Sequence, residues 1–389
     1  PHTHTPPPHT HNTLLSSAAS DVYKRQSSTY ALNEHFCFIS RQKSVKALFL
    51  STFITLAVYI APVDLSANGG TISQAATPPV PPDAEIKLLK QTVISINSTG
   101  DYDPLIKRAA QAKIILLGDS THGTHEFYQE RINISKRLIR EQNYKLIALE
   151  AGWPDIYLLN QYIHGLSSLS VMQIFDRFED QPDWLWKNRE TLAFIQWLKD
   201  YNSRLPEDDV RVSLYGIDLY SFHYSRKWII HYLQQFSALA AQQAIQRYDC
   251  VNAIGNDLHH YGEAVSKNLS SSCEHEFTEQ FNDFKLCRFP CPELYPFIDR
   301  DNYFTATQHA RILKNIEKNI RITYTTHSSA QSWNVRDEHM METLLALLDY
   351  QHQSKAIVWA HNSHLGDASA TGMAEKNQLN LGQLLRQYF

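Results

Sequence analysis

Residues 113–131 read KIILLGDSTHGTHEFYQER, and the hydrophobic pattern of this stretch changes half-way along it. The apolar run Ile114 to Leu117 predicts a buried strand, whereas apolar side chains three and four residues apart after position 124 predict an amphipathic helix. The polar residues 119–123 lie between these two elements. Ligands of α/β proteins bind where parallel strands end and helices begin, because free N–H groups and positive partial charge lie there. We therefore expect residues 119–123 at the functional edge of a sheet.

Three further apolar runs also end on polar side chains. They are residues 145–149 before Glu150, residues 210–217 before Asp218, and residues 356–360 before His361 and His364. The segments between the runs are long enough for right-handed crossovers, so we expect parallel strands whose carboxyl ends share one edge. The tips of the first two strands should lie side by side. The sequence therefore predicts that His122, Glu150 and His361 meet in one cleft with their neighbours.

About a hundred residues separate the third predicted strand from the fourth. This segment, residues 226–324, has a mostly helical pattern and is too long for a single crossover. We interpret it as a helical subdomain inserted in the fold. The overall prediction is an α/β fold with a mainly parallel sheet, flanking helices and an inserted helical subdomain.

The composition is that of a globular protein of one large or two ordinary domains. The 389 residues are 43% hydrophobic and 20% charged, with a formal net charge of -4. No strongly basic patch is present, so we expect no nucleic-acid partner. The sequence does not indicate the oligomeric state.

The N-terminal part divides into three segments before the folded domain. Residues 1–40, rich in Pro, His and Thr, read as a disordered or non-native extension. Residues 41–67 have a basic start, a short apolar stretch and a small-residue exit, as in a secretory signal peptide. We expect a secreted or periplasmic protein that meets a membrane only through this signal or an uncleaved anchor. Residues 68–85 form a Pro-rich linker to the folded domain, residues 86–389.

Four cysteines follow the predicted signal peptide. They are Cys250, Cys273, Cys287 and Cys291. An even number in an exported protein is compatible with disulfides, for which three pairings exist, and also with free buried thiols. The spacing matches no zinc-binding pattern.

The polar strand ends permit three kinds of chemistry. A histidine supported by a carboxylate can act as a general base on water, with an arginine stabilising the developing negative charge. Alternatively, His122, His361 and His364 with Glu150 could bind a divalent metal that activates the water. Ser120 could be a nucleophile, but its surroundings do not form the G-x-S-x-G of a nucleophile elbow.

Six blocks of sequence, in order, closely resemble the signature blocks of the erythromycin esterase-like family. They are GDSTHGTHEFYQER (118–131), LIALEAGWPDIYLLNQYIHG (146–165), YGIDLYS (215–221), WNVRDEHMMETL (333–344), VWAHNSHLGDA (358–368) and LGQLLRQYF (381–389). The similarity covers about Ala84 to Phe389. It implies hydrolysis of an ester, which in the resistance members of the family is a macrolide lactone.

The resemblance also implies roles for individual residues. His122 matches the family's catalytic base, which activates water without a covalent enzyme intermediate. Arg131 and Glu150 match an arginine and a glutamate in the family's cleft. His361 and His364 match the two histidines of the family's A-H-N-x-H block. Arg336 and Asp337 match the R-D of a further block. Asp119 stands where the family usually has Glu, so its shorter carboxylate is expected to alter the geometry. Family members continue past the last block, which implies that the natural chain extends beyond Phe389.

We therefore predict a carboxylic ester hydrolase that takes a small ester or lactone and requires no cofactor. The predicted catalytic residues are His122, Glu150, Asp119, Arg131, His361 and His364. One alternative is a hydrolase that uses a divalent metal in the same cleft. Another is a degenerate member that binds a small molecule without cleaving it.

Overall fold

The computed structural model describes residues 48–50, 56–60, 86–87, 90–91, 93–178, 185–252, 257–352 and 354–389. Two compact units are distinguished. The smaller comprises residues 1–38 and 78–92, of which residues 86–87 and 90–91 are described and helical. The larger comprises residues 39–77 and 93–389 and contains the sheet. The predicted extension (1–40) and linker (68–85) lie outside the described residues.

The sheet is formed by six strands among the described residues. They are β1 (Leu48–Leu50), β2 (Leu56–Ile60), β3 (Ile114–Asp119), β4 (Tyr144–Gly152), β5 (Ser213–Asp218) and β6 (Lys355–His361). Their order is β1-β2-β3-β6-β4-β5. The last four are parallel, whereas β2 pairs antiparallel with both β1 and β3. The predicted α/β fold with a mainly parallel sheet is confirmed.

The prediction that the first two strands lie side by side was wrong. β3 and β4 are not neighbours, because β6 lies between them and pairs with both. The sequence order gave no sign of this, since β6 is formed by residues more than two hundred positions later. Because β6 lies between β3 and β4, His361 lies between Asp119 and Glu150.

Fourteen α-helices surround this sheet in the described part of the chain. They are α1 (Asp103–Ala109), α2 (His125–Gln142), α3 (Trp153–Ile163), α4 (Val171–Phe175), α5 (Arg189–Ser203), α6 (Phe222–Gln234), α7 (Ala238–Asn252), α8 (Leu258–Ser266), α9 (Glu274–Lys285), α10 (Arg300–Thr326), α11 (Ser329–Tyr350), α12 (Asn362–Leu365), α13 (Gly372–Glu375) and α14 (Leu381–Tyr388). Short 3-10 turns occupy Thr99–Tyr102 and Ala368–Ala370. The predicted helical insertion corresponds to α6 to α10. Residues 93–96, before the first of these turns, are irregular.

The core lies on both faces of the parallel strands. Every residue of β3, β4 and β5 is buried, as expected for strands covered by helices on both sides. One hydrophobic cluster joins Leu116 and Val358 to α6 to α11 and α14. The other joins Leu117 and Trp359 to α1 to α5. The helical insertion is thus part of the main core.

Two disulfides, Cys250–Cys273 and Cys287–Cys291, connect parts of the helical insertion. They select one of the three pairings that the sequence permitted. Asn380 caps α14 as expected, with its Oδ1 accepting from the Gln383 N–H at 2.9 Å. In the described residues no helix combines the length and the apolar character needed to span a bilayer. β1 and β2 lie within the segment predicted as a signal peptide, and export stays a prediction.

Candidate active site

The histidines and acids predicted to meet at the sheet edge do lie together. The ring centroids of His122 and His361 are 5.2 Å apart. The Nε2 atom of His364 lies 3.3 Å from the Oε1 atom of Glu150. Asp119 and His361 end the paired strands β3 and β6 at the same register. Side chains from four strand ends therefore share one centre.

Asp119 connects His122 to Arg131. His122 Nδ1 lies 3.5 Å from Asp119 Oδ2, and the same oxygen lies 3.2 Å from Arg131 Nη2. Asp119 and Arg131 are only 1% exposed, whereas the side chain of His122 is 29% exposed. Arg131 comes from the second turn of α2 and stacks over Tyr128 and Trp359, at 4.9 and 5.2 Å. The shorter Asp at position 119 therefore still lies beside both partners.

His122 is more basic than an ordinary histidine. Burial, the largest influence, lowers its pKa, but the hydrogen bond to Asp119 and the negative charges of Glu150 and Asp119 outweigh it. The net effect is a raised pKa. Nδ1 is the ring nitrogen that faces the Asp119 carboxylate.

Glu150 lies where the pairing of β4 with β5 is irregular. The register shifts between Leu149 and Gly152, and such an irregularity re-aims a side chain at the end of a strand. Gly216 on β5 faces this point, where the Ala151 and Gly152 carbonyls approach too closely for any side chain. The local sequence thus directs the Glu150 carboxylate into the centre.

The Glu150 carboxylate accepts hydrogen bonds and lies among positively charged groups. Its Oε2 accepts from the His361 backbone N–H at 2.7 Å, and its Oε1 accepts from Arg336 Nη2 at 2.9 Å. Burial raises its pKa, but the charges of His364, Arg336 and His122 together hold that pKa well below its usual range. Glu150 is therefore a stable negative charge at the centre of the cluster.

Arg336 is held by two carboxylates and was missing from the predicted catalytic set. Its Nε and Nη2 atoms donate to Asp218 at 2.7 and 2.6 Å, in addition to the bond to Glu150. This bidentate geometry fixes the guanidinium plane. The sequence did contain signals for both partners, because Asp218 ends a strand and Arg336 belongs to the R-D block.

His364 is a buried cation. Its Nδ1 lies 2.9 and 3.0 Å from the two oxygens of Asp337, and Trp333 stacks on the ring at 4.6 Å. Arg336 Nη1 lies 3.1 Å from Nε2. Burial lowers the pKa of His364, but Asp337 and Glu150 outweigh burial and the Arg336 charge, raising it to about 10. At neutral pH the ring is therefore an imidazolium and cannot act as a base.

His361 has the opposite character. Its Nε2 lies 3.0 Å from the Ser120 carbonyl oxygen, and its Nδ1 lies 2.8 Å from Ser363 Oγ. Burial lowers its pKa, so the ring is neutral and donates through Nε2–H to Ser120. Both nitrogens are engaged by the protein, as in His364. A direct role of His361 and His364 in holding substrate oxygens is untested by this geometry and stays a prediction.

His125, three residues after His122, lies outside this centre. Its ring is 61% exposed and its Nδ1 lies 2.7 Å from Glu190 at the start of α5. His125 therefore does not belong to the same centre as His122.

The ligand atoms of the predicted metal set do not converge on one point. Among the described residues, three ligand atoms within 4.8 Å of one another occur only at Cys287, Cys291 and Glu293. The first two of these form a disulfide. Metal dependence therefore stays a prediction. The described residues of the centre do not form a compact set of metal ligands.

A model of the erythromycin esterase family matches residues 139–389, well over half of the sequence. The chain belongs to the erythromycin esterase family. Erythromycin esterase type II of Escherichia coli is 22% identical to this family member over 274 residues, which make up 68% of this chain. The same alignment covers 63% of the relative, so this chain spans less than two thirds of that relative's length.

Three solved structures share the fold of this family member. A Bacillus cereus protein aligns with a TM-score of 0.60 and 20% identity over 80% of this chain and 73% of its own. A succinoglycan biosynthesis protein aligns at 0.57 and 20%, over 75% and 67%. A mutant of the erythromycin esterase EreC in its open conformation aligns at 0.57 and 19%, over 74% and 70%. At these identities the likeness establishes the fold alone.

Proposed function

We propose that this protein hydrolyses a carboxylic ester or lactone, using a water molecule that His122 deprotonates. The observation that carries the proposal is the arrangement of His122: a partly exposed imidazole whose Nδ1 faces the buried Asp119 carboxylate. A supporting carboxylate of this kind fixes the tautomer and stabilises the imidazolium that forms during catalysis. Membership of the erythromycin esterase family supports an ester or macrolide lactone as the substrate.

The proposed reaction begins at Nε2 of His122. This nitrogen takes a proton from water as the water oxygen bonds to the ester carbonyl carbon, and the carbonyl electron pair moves to oxygen. The tetrahedral intermediate then collapses, the bond to the leaving alkoxide breaks, and His122 returns the proton to that alkoxide. No covalent bond to the enzyme forms at any step.

Arg131 supports this reaction from behind Asp119. Because it is buried and paired with Asp119, it is a positioning residue that keeps the carboxylate aimed at His122. This differs from the expected role of an arginine touching substrate oxygens.

The direct test replaces His122 by Asn and compares it with His125→Asn. We expect His122→Asn to reduce kcat on a panel of p-nitrophenyl and macrolide esters by about 10² to 10⁴, the usual contribution of a general base. His125→Asn is matched in residue type and position, and should retain activity within about two-fold. Equal activity of the two variants would contradict the proposal.

The pH dependence supplies a second test. Since the pKa of His122 is raised above 6.5 and the base must be unprotonated, kcat/KM should rise with pH through that higher value. A profile that is flat between pH 6 and 9, or that falls, would exclude His122 as the base.

Two alternative functions, metal-dependent hydrolysis and binding without cleavage, can be tested with the same purified protein. In the metal-dependent alternative, chelation would abolish turnover and a stoichiometric metal would be found by elemental analysis. In the degenerate alternative, the wild type would bind esters without cleaving them. Asp119, one methylene shorter than the family's Glu, motivates the latter, although its carboxylate reaches both His122 and Arg131.

A further inference from the structure

Tyr220 lies beside the charged cluster, immediately beyond the end of β5. One residue separates it from the buried Asp218, and Ser221 follows it in the left-handed region, with φ of 77°. A non-glycine residue rarely adopts this conformation, and such strain concentrates where side chains are positioned for function. The turn at Ser221 starts α6 and leaves Tyr220 half-buried next to Arg336.

The ring of Tyr220 forms one wall around Arg336. The guanidinium carbon lies 5.8 Å from the Tyr220 ring centre and 6.0 Å from that of Trp333. Asp218 and Glu150 hold its nitrogen atoms. A cation fixed by two carboxylates and two aromatic rings has little freedom, so the atoms that it contacts are also fixed.

The hydroxyl of Tyr220 has an unused proton. Arg336 Nη2 lies 3.4 Å from the phenol oxygen, and because a guanidinium can only donate, that oxygen is the acceptor. In the described part of the chain, no group accepts a hydrogen bond from the phenol in return. Burial raises the pKa of Tyr220, so the phenol keeps its proton at working pH. A neighbouring cation also makes the O–H a stronger donor.

We propose that Tyr220 donates a hydrogen bond to the carbonyl oxygen of the substrate as negative charge develops on it. This assignment rests on the proposed function and adds to it the group that stabilises the oxyanion. The bond strengthens as the carbonyl electron pair moves to oxygen, and the phenol proton stays on Tyr220 throughout. The proton taken from water still passes through His122 to the leaving alkoxide. Arg336, neutralised by two carboxylates, acts as a positioning residue for the phenol.

The inference predicts that Tyr220 distinguishes oxygen from sulfur at the reacting carbonyl. A thionoester carries its developing charge on sulfur, which is a weak hydrogen-bond acceptor. The wild type should therefore prefer an oxoester over its thionoester more strongly than a variant without the hydroxyl. A residue with a purely structural role would slow both substrates equally.

The test compares Tyr220→Phe with Tyr224→Phe, an exposed tyrosine four residues further along in α6. Each variant is assayed with a p-nitrophenyl ester and the matching thionoester. We expect Tyr220→Phe to lower kcat on the oxoester by about 10² to 10³ with KM little changed, the usual loss for one oxyanion donor. Its loss on the thionoester should be less than ten-fold. The pH at which kcat/KM rises should stay where it is in the wild type, and Tyr224→Phe should match the wild type.

The outcomes separate this inference from the proposed function. Full activity in Tyr220→Phe, or equal losses on both substrates, would overturn the role of Tyr220 while His122-dependent turnover stands. A wild type that cleaves no ester, with His122→Asn indistinguishable from it, would overturn the proposed function and this assignment together. A changed thermal transition in Tyr220→Phe, with an unchanged oxygen-to-sulfur preference, would show a structural role and likewise overturn it.

Discussion

Replacing His364 by Gln should remove a stabilisation of the fold that depends strongly on pH. The imidazolium lies between Asp337 and Glu150, and although burial lowers its pKa, the two carboxylates raise it to about 10 from an ordinary 6.5. The pKa in the folded state is therefore above that in the unfolded state. Consequently the charge stabilises the fold fully below pH 6.5, and this stabilisation is lost as pH rises towards about 10.

The structure sets an upper limit on this effect. Each pKa unit corresponds to about 1.36 kcal/mol, so the step from 6.5 to about 10 gives a limit of roughly 5 kcal/mol. His364 is 2% exposed, so solvent screens these interactions little. We expect the difference in free energy of unfolding between wild type and His364→Gln to shrink by about 3 to 5 kcal/mol across that pH range.

Urea unfolding followed by tryptophan fluorescence at pH 5.5, 7.5 and 9.5, with the disulfides kept oxidised, measures the difference. His309→Gln is the matched control, because burial lowers the pKa of His309 to about 3 and the ring is neutral throughout. Its difference from wild type should be constant over the three pH values. If the His364→Gln difference is equally constant, then His364 is neutral in the folded protein and the reasoning about the two carboxylates is wrong.

Three further substitutions and one treatment with a chelator give independent checks. Asp119→Asn should lower the pKa seen in the kcat/KM profile, because His122 loses the hydrogen bond and charge that raise it, and should reduce kcat at least ten-fold. Ser120→Ala should retain turnover within a few-fold in the same assay, because only its backbone carbonyl contacts the centre, whereas complete loss would indicate a serine nucleophile. Gly118→Ala should lower the free energy of unfolding in urea by about 1–3 kcal/mol, because its Cβ would overlap the side chain of Asn362. Prolonged dialysis against a chelator should leave ester turnover unchanged, and loss restored by one divalent metal would favour the metal-dependent alternative.

The strands and their polar ends could be predicted from the sequence because each strand is a mostly apolar run with a polar residue at or near its end. β3 was predicted as residues 114–117 and extends to Asp119, and Glu150, Asp218 and His361 all follow the same rule. Hydrophobic pattern and crossover length suffice for this, since parallel strands are buried on both faces. They do not fix which strands pair. The position of β6 depends on packing between distant segments, which leaves no local trace.

The contributions of α11 were harder to predict for a different physical reason. Arg336 and Asp337 lie within a helix, where adjacent charged residues usually face solvent. Only the fold shows that the helix begins at Ser329 and places them over the ends of the strands. Likewise, the sequence identified His361 and His364 as a pair but could not assign their charges. His361 is neutral because burial lowers its pKa, and His364 is cationic because the two carboxylates that face it outweigh burial.

The late position of β6 in the chain has a consequence for biosynthesis. During synthesis, β3 and β4 leave the ribosome long before residues 355–361. Until β6 forms, the edges of β3 and β4 that later pair with it have no partner strand. During that interval Glu150 lacks the backbone donor of His361, so the cluster of charged side chains around it is incomplete. The exposed strand edges could pair with another chain in the meantime, and a chaperone would be expected to cover them.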